Sequence, residues 1–255
     1  MSGSGYTIDL SGRRALVTGA GQHTGRHFAL GLAQAGAEVF VNDVVAEKAQ
    51  AVCDEIRESG GEASPLVFDI TDLDATNAAI GGALADIVVN NVGGVFAIPF
   101  PLKHFGASDP TRWKQQIDLN LYGVLNTTYA ALPHMTQQKW GRIITIISDA
   151  GRRGERGQAV YGAAKAAGAG FMRGIAAEYG FDGITANAIA FGSIQYEDRE
   201  PPPPDALKKM LSVYSVKRPG RPSDPVGLLV LLASDHAEWI TGQVIPVDGG
   251  FVNAL

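Results

Sequence analysis

Two residues with complementary chemistry, Tyr161 and Lys165, stand four positions apart in the segment YGAAK. If this segment is helical, both side chains project from one face, so a phenol and an ammonium group can act together. A nearby positive charge favours the ionised phenol, and we expect it to lower the pKa of Tyr161 from its ordinary value of about 10. Such a tyrosine could exchange a proton with a substrate.

Two polar residues could complete a reaction centre with this pair. Ser148 follows the apolar run 143–147, and its hydroxyl could bond the same substrate oxygen and orient a carbonyl. Asn120 could hold a water molecule in a proton relay. Taken singly, each residue has an ordinary explanation, since Tyr and Lys are common on solvated helices and Ser often ends a strand. Their conjunction is what indicates chemistry.

A glycine-rich segment, TGAGQHTG at 18–25, follows the first apolar run and opens the first predicted helix. Free backbone amides and the helix dipole at such a turn attract a pyrophosphate. Glycines also serve ordinary strand-to-helix turns, so this segment alone leaves both interpretations open.

Asp43 ends the second apolar run, where a carboxylate can accept hydrogen bonds from both hydroxyls of an adenosine ribose. Its charge would repel a 2′-phosphate, and no Arg or Lys immediately follows it, so we expect NAD in preference to NADP. Alternatively, Asp43 caps the helix that begins near Ala46, a role that can coexist with the first.

Short apolar runs alternate with segments long enough for helices, as at 26–35 and 46–58. The runs lie at 15–17, 39–41, 66–68, 87–89, 143–147 and 184–189. This alternation predicts an α/β fold with a doubly wound parallel sheet in three layers, and a single domain over 1–255. Functional residues should then follow the strands. The stretch 72–85 is short for a crossover helix, so we expect a trimmed helix there.

Two stretches break the alternation, 95–110 and 195–215, the second with four consecutive prolines at 201–204. We predict both to be long loops over the ligand crevice, with 195–215 as a substrate lid; the alternative is that they only connect surface elements. If the two loops close over the crevice, aromatic residues would line it, which suggests an apolar or cyclic substrate. These are Phe96, Phe100, Phe105, Phe191 and Tyr196.

Three arginines, Arg152, Arg153 and Arg156, lie between Ser148 and Tyr161. They could bind a carboxylate or carrier phosphate of a substrate. The favoured interpretation is that they are solvated or paired with Asp149 and Glu155 at the surface.

Composition limits the class of protein. With 45% hydrophobic and 18% charged residues over 255 positions, the chain can bury a core. A net charge of −5 disfavours nucleic-acid and membrane partners. Cys53 is the only cysteine, which excludes an internal disulfide and a thiolate cluster, and we predict no metal site. Neither a secretion signal nor a membrane-length segment is visible, so we expect a cytoplasmic protein.

Several motifs together resemble the classical short-chain dehydrogenases/reductases along nearly the whole chain. They are TGAGQHTG, Asp69, NNVG at 90–93, NLYG at 120–123, Ser148, YGAAK and ITGQVIPVDGG at 240–250. The resemblance implies a Rossmann-type fold and hydride transfer between an alcohol and a ketone. It makes Tyr161 the acid/base, Ser148 the group that polarises the carbonyl, and Asn120 the support of the relay.

The same resemblance implies a dinucleotide site, with Lys165 on the nicotinamide ribose. Its residues would be Gly19, Gly21, Gln22, His23, Thr24, Gly25, Asp43, Asp69, Ile70, Asn91, Gly93, Tyr161, Lys165, Gly192 and Ile194. His23 replaces a fingerprint glycine; we expect it to adopt a positive φ, with its side chain displaced to solvent rather than on the pyrophosphate. Phe191 replaces a proline and, like Arg153 and Tyr196, could contact substrate.

The leading hypothesis is therefore an NAD-dependent dehydrogenase or ketoreductase of small molecules. One alternative is a 3-oxoacyl reductase of the same family, acting on carrier or CoA thioesters, which would ordinarily favour NADPH. Another is a catalytically silent binding subunit, against which the retention of all four reaction-centre residues argues. The family resemblance also implies a homotetramer, built through helices around 120–137 and 159–179 and the C-terminal strand. Neither the substrate nor the direction of reaction follows from the sequence.

Overall fold

The computed structural model describes residues 7–94, 97 and 102–252. Its strands are β1 (Arg14–Val17), β2 (Glu38–Asp43), β3 (Glu62–Val67), β4 (Ile87–Asn90), β5 (Gly141–Ser148), β6 (Ile184–Phe191) and β7 (Val244–Val247). All pair in parallel in one sheet of order β3-β2-β1-β4-β5-β6-β7. The predicted doubly wound parallel α/β fold is confirmed.

Helices cover both faces of this sheet. They are α1 (His23–Gln34), α2 (Ala46–Glu58), α3 (Leu73–Ala83), α4 (Pro110–Ile117), α5 (Gly123–Gln138), α6 (Ala150–Arg153), α7 (Ala159–Tyr179), α8 (Pro204–Leu211) and α9 (Val226–Leu232). Phe28, Val52 and Leu229 bury α1, α2 and α9 in one apolar core. Ile80, Met135 and Met172 bury α3, α5 and α7 in the other. Two cores with the sheet between them make the predicted three layers.

The helix predictions hold in type, with shifts at the ends. α2 has the predicted bounds, whereas α1 begins at His23, three residues before the predicted start, because the glycine-rich turn supplies its first helical residues. α3 is the trimmed crossover helix, 11 residues long, and Leu84 ends it with a left-handed φ of 50°.

The prediction of a long loop at 195–215 is wrong in part, because α8 occupies 204–211. Pro204 stands at the start of α8, where a missing backbone N–H and a fixed φ are tolerated. In 95–110 the described residues hold a short 3₁₀ turn at Phe105–Ala107, and Pro110 begins α4. The predictions for Phe96 and Phe100 lie outside the described residues, and the single-domain assignment stays a prediction.

The candidate site lies at one edge of the sheet, because the carboxyl ends of β1, β4, β5 and β6 meet there. The register pairs Ser148 with Phe191 at the ends of β5 and β6. A π-helical turn, Asp118–Tyr122, joins α4 to α5 and carries Asn120; such turns are frequent at functional sites. Among the described residues, no helix combines the length and apolarity needed to cross a bilayer.

Candidate active site

Tyr161 and Lys165 lie one turn apart near the start of α7, with Lys165 Nζ 6.0 Å from the centre of the phenol ring. Ser148, at the end of β5, is hydrogen-bonded to Tyr161, and its Oγ accepts from the backbone N of Ala150 at 3.2 Å. Lys165 is buried and donates to the backbone oxygen of Ile146 at 3.0 Å. Three of the four predicted reaction-centre residues therefore form one cluster.

Burial dominates the electrostatics of this cluster. It raises the pKa of Tyr161 to about 12, against the opposing hydrogen bond from Ser148. It also lowers the pKa of Lys165 to about 8. The expected net lowering of the Tyr161 pKa is therefore wrong for this structure, because the loss of water outweighs the groups that favour the ionised phenol.

Asn120 reaches the cluster from the π-helical turn. Its Nδ2 donates to the backbone oxygen of Gln116 at 3.0 Å and to Gln116 Oε1 at 3.1 Å. A Cβ placed on Gly93 would lie 2.4 Å from Asn120 Oδ1 and 3.2 Å from Lys165 Nζ. Both polar atoms therefore face the space beside Gly93, and the fourth predicted residue joins the other three.

The glycine-rich turn is folded too tightly for side chains. Gly19 has a φ of 60°, and a Cβ on Gly25 would lie 2.3 Å from the backbone oxygen of Gly19. A Cβ on Gly21 would lie 2.6 Å from Asp43 Oδ2. Gln22, the N-cap of α1, makes no side-chain capping bond, so the helix start keeps amides for an anion. These residues fit the pyrophosphate and ribose of a dinucleotide.

Residues predicted to lie on the adenosine side stand at neighbouring strand ends. Asn91 Nδ2 donates to the backbone oxygens of Thr18 at 2.9 Å and Gly19 at 3.2 Å, which fixes the turn. Asp43 Oδ1 accepts from the backbone N of Val45 at 3.0 Å, so Asp43 supports the start of α2 while its other oxygen faces Gly21. Asp43 therefore bonds the N-cap residue Val45 without itself capping α2. Its role on the ribose stays a prediction.

Three more of the predicted cofactor residues lie near this side of the site. Asp69 is exposed and accepts from the backbone N of Thr71 at 2.8 Å. Ile70 is buried against Gly123, where a Cβ would lie 2.4 Å from its side chain. Thr24 is buried in the first turn of α1, and its hydroxyl has no partner among the described residues. Because this hydroxyl is buried, the backbone amide of Thr24 in the first turn of α1 is the group that would meet a phosphate.

His23 departs from its prediction in one respect. Its φ of 52° confirms the expected positive φ. Its side chain is not displaced to solvent, however: the ring stacks on Tyr196 at 4.3 Å, and Nε2 lies 2.9 Å from both carboxylate oxygens of Asp198. The expectation failed because the segment after β6 folds back over the turn and supplies partners.

The predicted nicotinamide side of the site corresponds to the segment after β6. A Cβ on Gly192 would lie 3.2 Å from Asp248 Cα, and Ile194 pairs with Gly220 in an isolated bridge. A space of about 620 Å³ opens here and includes Gly192 and Ile194 in its walls. The prediction that Phe191 contacts substrate is wrong. Its side chain is 9% exposed and packs in the core near Phe28, with 6.2 Å between the two ring centres.

The arginines follow the favoured interpretation. Arg152 donates to Asp149 at 2.9 Å. Arg153 lies 3.7 Å from Glu155 and over the ring of Phe251 at 4.2 Å. Substrate binding by Arg153 stays an untested prediction.

A cavity of about 340 Å³, open to solvent, lies beside Tyr161. Its walls are Lys103, Phe105, Ser108, Gln116, Gly157, Gln158, Ala159, Val160 and Tyr161. Phe105 is among these walls, and its contact with a substrate stays a prediction. Sequence reasoning missed Gln116, because a glutamine in a polar helix is normally exposed, and Lys48, whose Nζ donates to Gln22 Oε1 at 2.6 Å. Lys48 could have been found, since it is in the first turn of α2, five residues beyond Asp43.

A family model described as "Enoyl-(Acyl carrier protein) reductase" matches residues 19–252. The chain belongs to the short-chain dehydrogenase/reductase family. It is 33% identical over 256 residues to the 7alpha-hydroxysteroid dehydrogenase of Escherichia coli, covering 97% of each chain. It is 36% identical over 244 residues to the 3-oxoacyl-[acyl-carrier-protein] reductase FabG of Staphylococcus aureus, covering 93% of this chain and 97% of that one.

The fold of this short-chain dehydrogenase/reductase matches solved structures equally well. A 7 alpha-hydroxysteroid dehydrogenase complexed with NADH and 7-oxo glycochenodeoxycholic acid superposes with a TM-score of 0.89 at 32% identity, covering 98% of each chain. The predicted family is therefore confirmed, and the protein is an oxidoreductase of that family.

Proposed function

We propose that this short-chain dehydrogenase/reductase interconverts a secondary alcohol and its ketone with NAD(H), using Tyr161 as acid/base. The observation that carries the proposal is the cluster at the start of α7: Tyr161 hydrogen-bonded to Ser148, with buried Lys165 on the same face. A lysine that gives up hydration in the core needs a reason beyond stability, and a reaction centre supplies one.

The glycine-rich turn, Asp43, Asn91 and the segment after Gly192 would hold the cofactor. When bound, the nicotinamide ring supplies or accepts the hydride at its C4 atom. In ketone reduction, Tyr161 gives its hydroxyl proton to the carbonyl oxygen while Ser148 Oγ orients that oxygen. Lys165 stabilises the resulting phenolate, and Asn120 Oδ1 accepts a hydrogen bond from the water that returns the proton.

We propose NAD over NADP because Asp43 Oδ2 borders Gly21, where its charge opposes a 2′-phosphate. One observation favours the other cofactor: Lys48 stands at the same rim, and its Cβ would lie 2.7 Å from a Cβ on Gly21. Its ammonium bonds Gln22 and could turn toward a phosphate. Asp43 Oδ2 lies 2.6 Å from that position and makes no hydrogen bond among the described residues, whereas the Lys48 ammonium is already bonded to Gln22, so we give Asp43 the larger weight.

For the substrate, we propose a compact apolar body. The cavity beside Tyr161 has apolar walls from Phe105, Ala159 and Val160, with Lys103 and Gln158 as polar groups. A hydroxysteroid, named in one relative, has this character. A 3-oxoacyl thioester, named in the other, is the second candidate, and the Lys48 observation favours it through NADPH.

We propose a homotetramer for the assembly. Tyr129 on α5 is 65% exposed, and small residues Ala163, Ala167 and Gly170 leave the outer face of α7 open to close helix contact. Sedimentation of the purified protein at several concentrations tests this. A cytoplasmic location stays a prediction.

The deciding experiment has two parts. NADH and NADPH are each titrated by fluorescence, and turnover is then measured on a panel of cyclic ketones and 3-oxoacyl thioesters. Tyr161→Phe should keep NADH binding and lose turnover by about 100-fold or more, whereas Tyr179→Phe, at the far end of α7, should behave like the wild type. Cofactor binding without turnover on any substrate would instead favour the silent subunit. Thioester turnover with NADPH would favour the second candidate.

A further inference from the structure

Gln116 is a buried polar residue to which the proposed reaction gives no role. It lies in α4, is 2% exposed and lines the cavity beside Tyr161. Its side-chain oxygen accepts from Asn120 Nδ2 at 3.1 Å. Its neighbour Gln115 is exposed and accepts from Arg112 at 3.2 Å. Two glutamines in succession thus have opposite environments.

The contacts of Gln116 determine which way the Asn120 amide points. The backbone oxygen of Gln116 can only accept, so the Asn120 atom 3.0 Å away must be the nitrogen. Gln116 Oε1 takes the second proton of that nitrogen. With both N–H groups engaged, Asn120 Oδ1 is turned to the space beside Gly93 that Lys165 Nζ also faces. Without Oε1, the amide would keep one anchor and could rotate.

The side chain of Gln116 also lowers the stability of the folded protein. Within the described part of the chain its Nε2 has no hydrogen-bond partner, although the atom is buried. An unpaired buried N–H destabilises a fold, and an unbranched apolar side chain such as Met would fill the same volume without it. A residue that the core would not select by itself indicates a task at the site.

We infer that Gln116 is a positioning residue for the proton relay: its side-chain carbonyl holds the Asn120 amide with Oδ1 turned toward the Lys165 amine. The inference rests on the proposed function, since the orientation of Asn120 matters only where a relay operates. Gln116 contacts neither Tyr161 nor Lys165 by a hydrogen bond among the described contacts, and it acts through Asn120.

The test compares Gln116→Met with the matched control Gln115→Met. The first readout needs neither cofactor nor turnover: protein labelled with [¹⁵N]asparagine shows the Asn120 side-chain amide, assigned by its loss in Asn120→Ala. We expect this amide to exchange its protons slowly in the wild type and in Gln115→Met. In Gln116→Met it should shift and exchange about threefold to tenfold faster, the range for one lost hydrogen bond.

The second readout separates positioning from packing. Gln116→Met should lower kcat by about threefold to tenfold, keep NADH affinity within about twofold, and have a melting temperature no lower than the wild type. In the Asn120→Ala background, the same substitution should change kcat by less than about twofold.

Each contrary result overturns the inference. An unchanged Asn120 amide signal in Gln116→Met shows that Oε1 does not hold it. If Gln116→Met still lowers kcat by about threefold to tenfold in the Asn120→Ala background, Gln116 acts by a route that does not involve Asn120. If the melting temperature falls together with kcat, Gln116 has a packing role. Full turnover by Tyr161→Phe would refute the proposed function separately, while the amide signal would still report on Gln116.

Discussion

The imidazole Nε2 of His23 lies 2.9 Å from both carboxylate oxygens of Asp198, although 175 positions separate the two residues. His23 belongs to the glycine-rich turn, and Asp198 belongs to the segment that leaves β6. The ring of His23 also stacks on Tyr196. These two contacts of His23 therefore hold the predicted substrate segment against the proposed pyrophosphate site.

Asp198→Asn should weaken the contact between this segment and His23, because the amide cannot form the charge-assisted hydrogen bond with the imidazole. We expect NADH to dissociate about twofold to fivefold faster, a small effect because the carboxylate is exposed. Stopped-flow fluorescence measures the rate. Asp205→Asn, at an exposed position of α8, is the control. Equal rates in Asp198→Asn and wild type would show that the segment does not retain the cofactor.

Asp43→Ala should narrow the discrimination between the two cofactors. Loss of charge-assisted ribose bonds should weaken NADH binding by about tenfold or more, and removal of the charge beside Gly21 should strengthen NADPH binding. Adding Lys48→Ala should then weaken NADPH binding again, since it removes the cation at that rim. Fluorescence titrations give both affinities. Asp54→Ala on the outer face of α2 should change neither.

Lys165→Met should make the protein more stable and inactive. The folded pKa of Lys165 is about 8 against an ordinary 10.5, so the unfolded chain binds more protons between these values. Wild-type stability consequently rises with pH through that window, and the penalty is complete below pH 8. We expect Lys165→Met to gain up to about 3 kcal/mol at pH 7, with the gain fading toward pH 10.

Urea denaturation at the two pH values measures this difference. Lys208→Met, on exposed α8, should show no pH-dependent gain. A Lys165→Met variant that is less stable than wild type at pH 7 would mean that the bond from Lys165 to Ile146 outweighs dehydration.

Asp149 should make the stability of the wild type change with pH in the direction opposite to that expected from Lys165. Burial raises its pKa to about 6 from 3.8, with the charge of Asp248 acting in the same sense and the bond from Arg152 opposing. A carboxyl with a raised folded pKa binds protons more tightly when folded, so wild-type stability falls as pH rises from 3.8 through about 6.

Asp149→Asn removes that fall, because the amide stays neutral and can donate to Asp248. We expect the variant to match wild type near pH 4 and to exceed it by up to about 3 kcal/mol at pH 8. Thermal or urea unfolding across this range measures the difference, and Glu155→Gln should show none of it. A variant weaker than wild type at pH 8 would show that the Arg152 ion pair dominates.

The sequence predicted what depends on local pattern. β5 and β6 are buried on both faces, so each is a predominantly apolar run that is visible in the sequence. Ser148 could be placed because polar residues at the carboxyl ends of parallel strands share one edge. Strand ends were predicted short, because residues such as Asn90 continue the ladder without being apolar.

What the sequence could not predict depends on distant contacts. The partner of His23 lies far along the chain, and no periodicity encodes it. The raised pKa of Tyr161 depends on how much water the assembled core excludes. α8 was missed because a run of prolines favours a loop, whereas its last member starts a helix. Phe191 was predicted to face a substrate because a strand end alone does not show which way its side chain packs.

The π-helical turn at Asp118–Tyr122 makes the length of this stretch as important as its composition. A π turn holds one residue more than the α-helical turn it replaces, and each α-helical residue advances the helix by about 100°. Deleting a single residue here would restore a regular helix and swing either Asn120 away from Lys165 or the apolar side of α5 out of the core. Substitutions can alter each helix separately, but insertions and deletions in 118–122 must disturb chemistry and folding together.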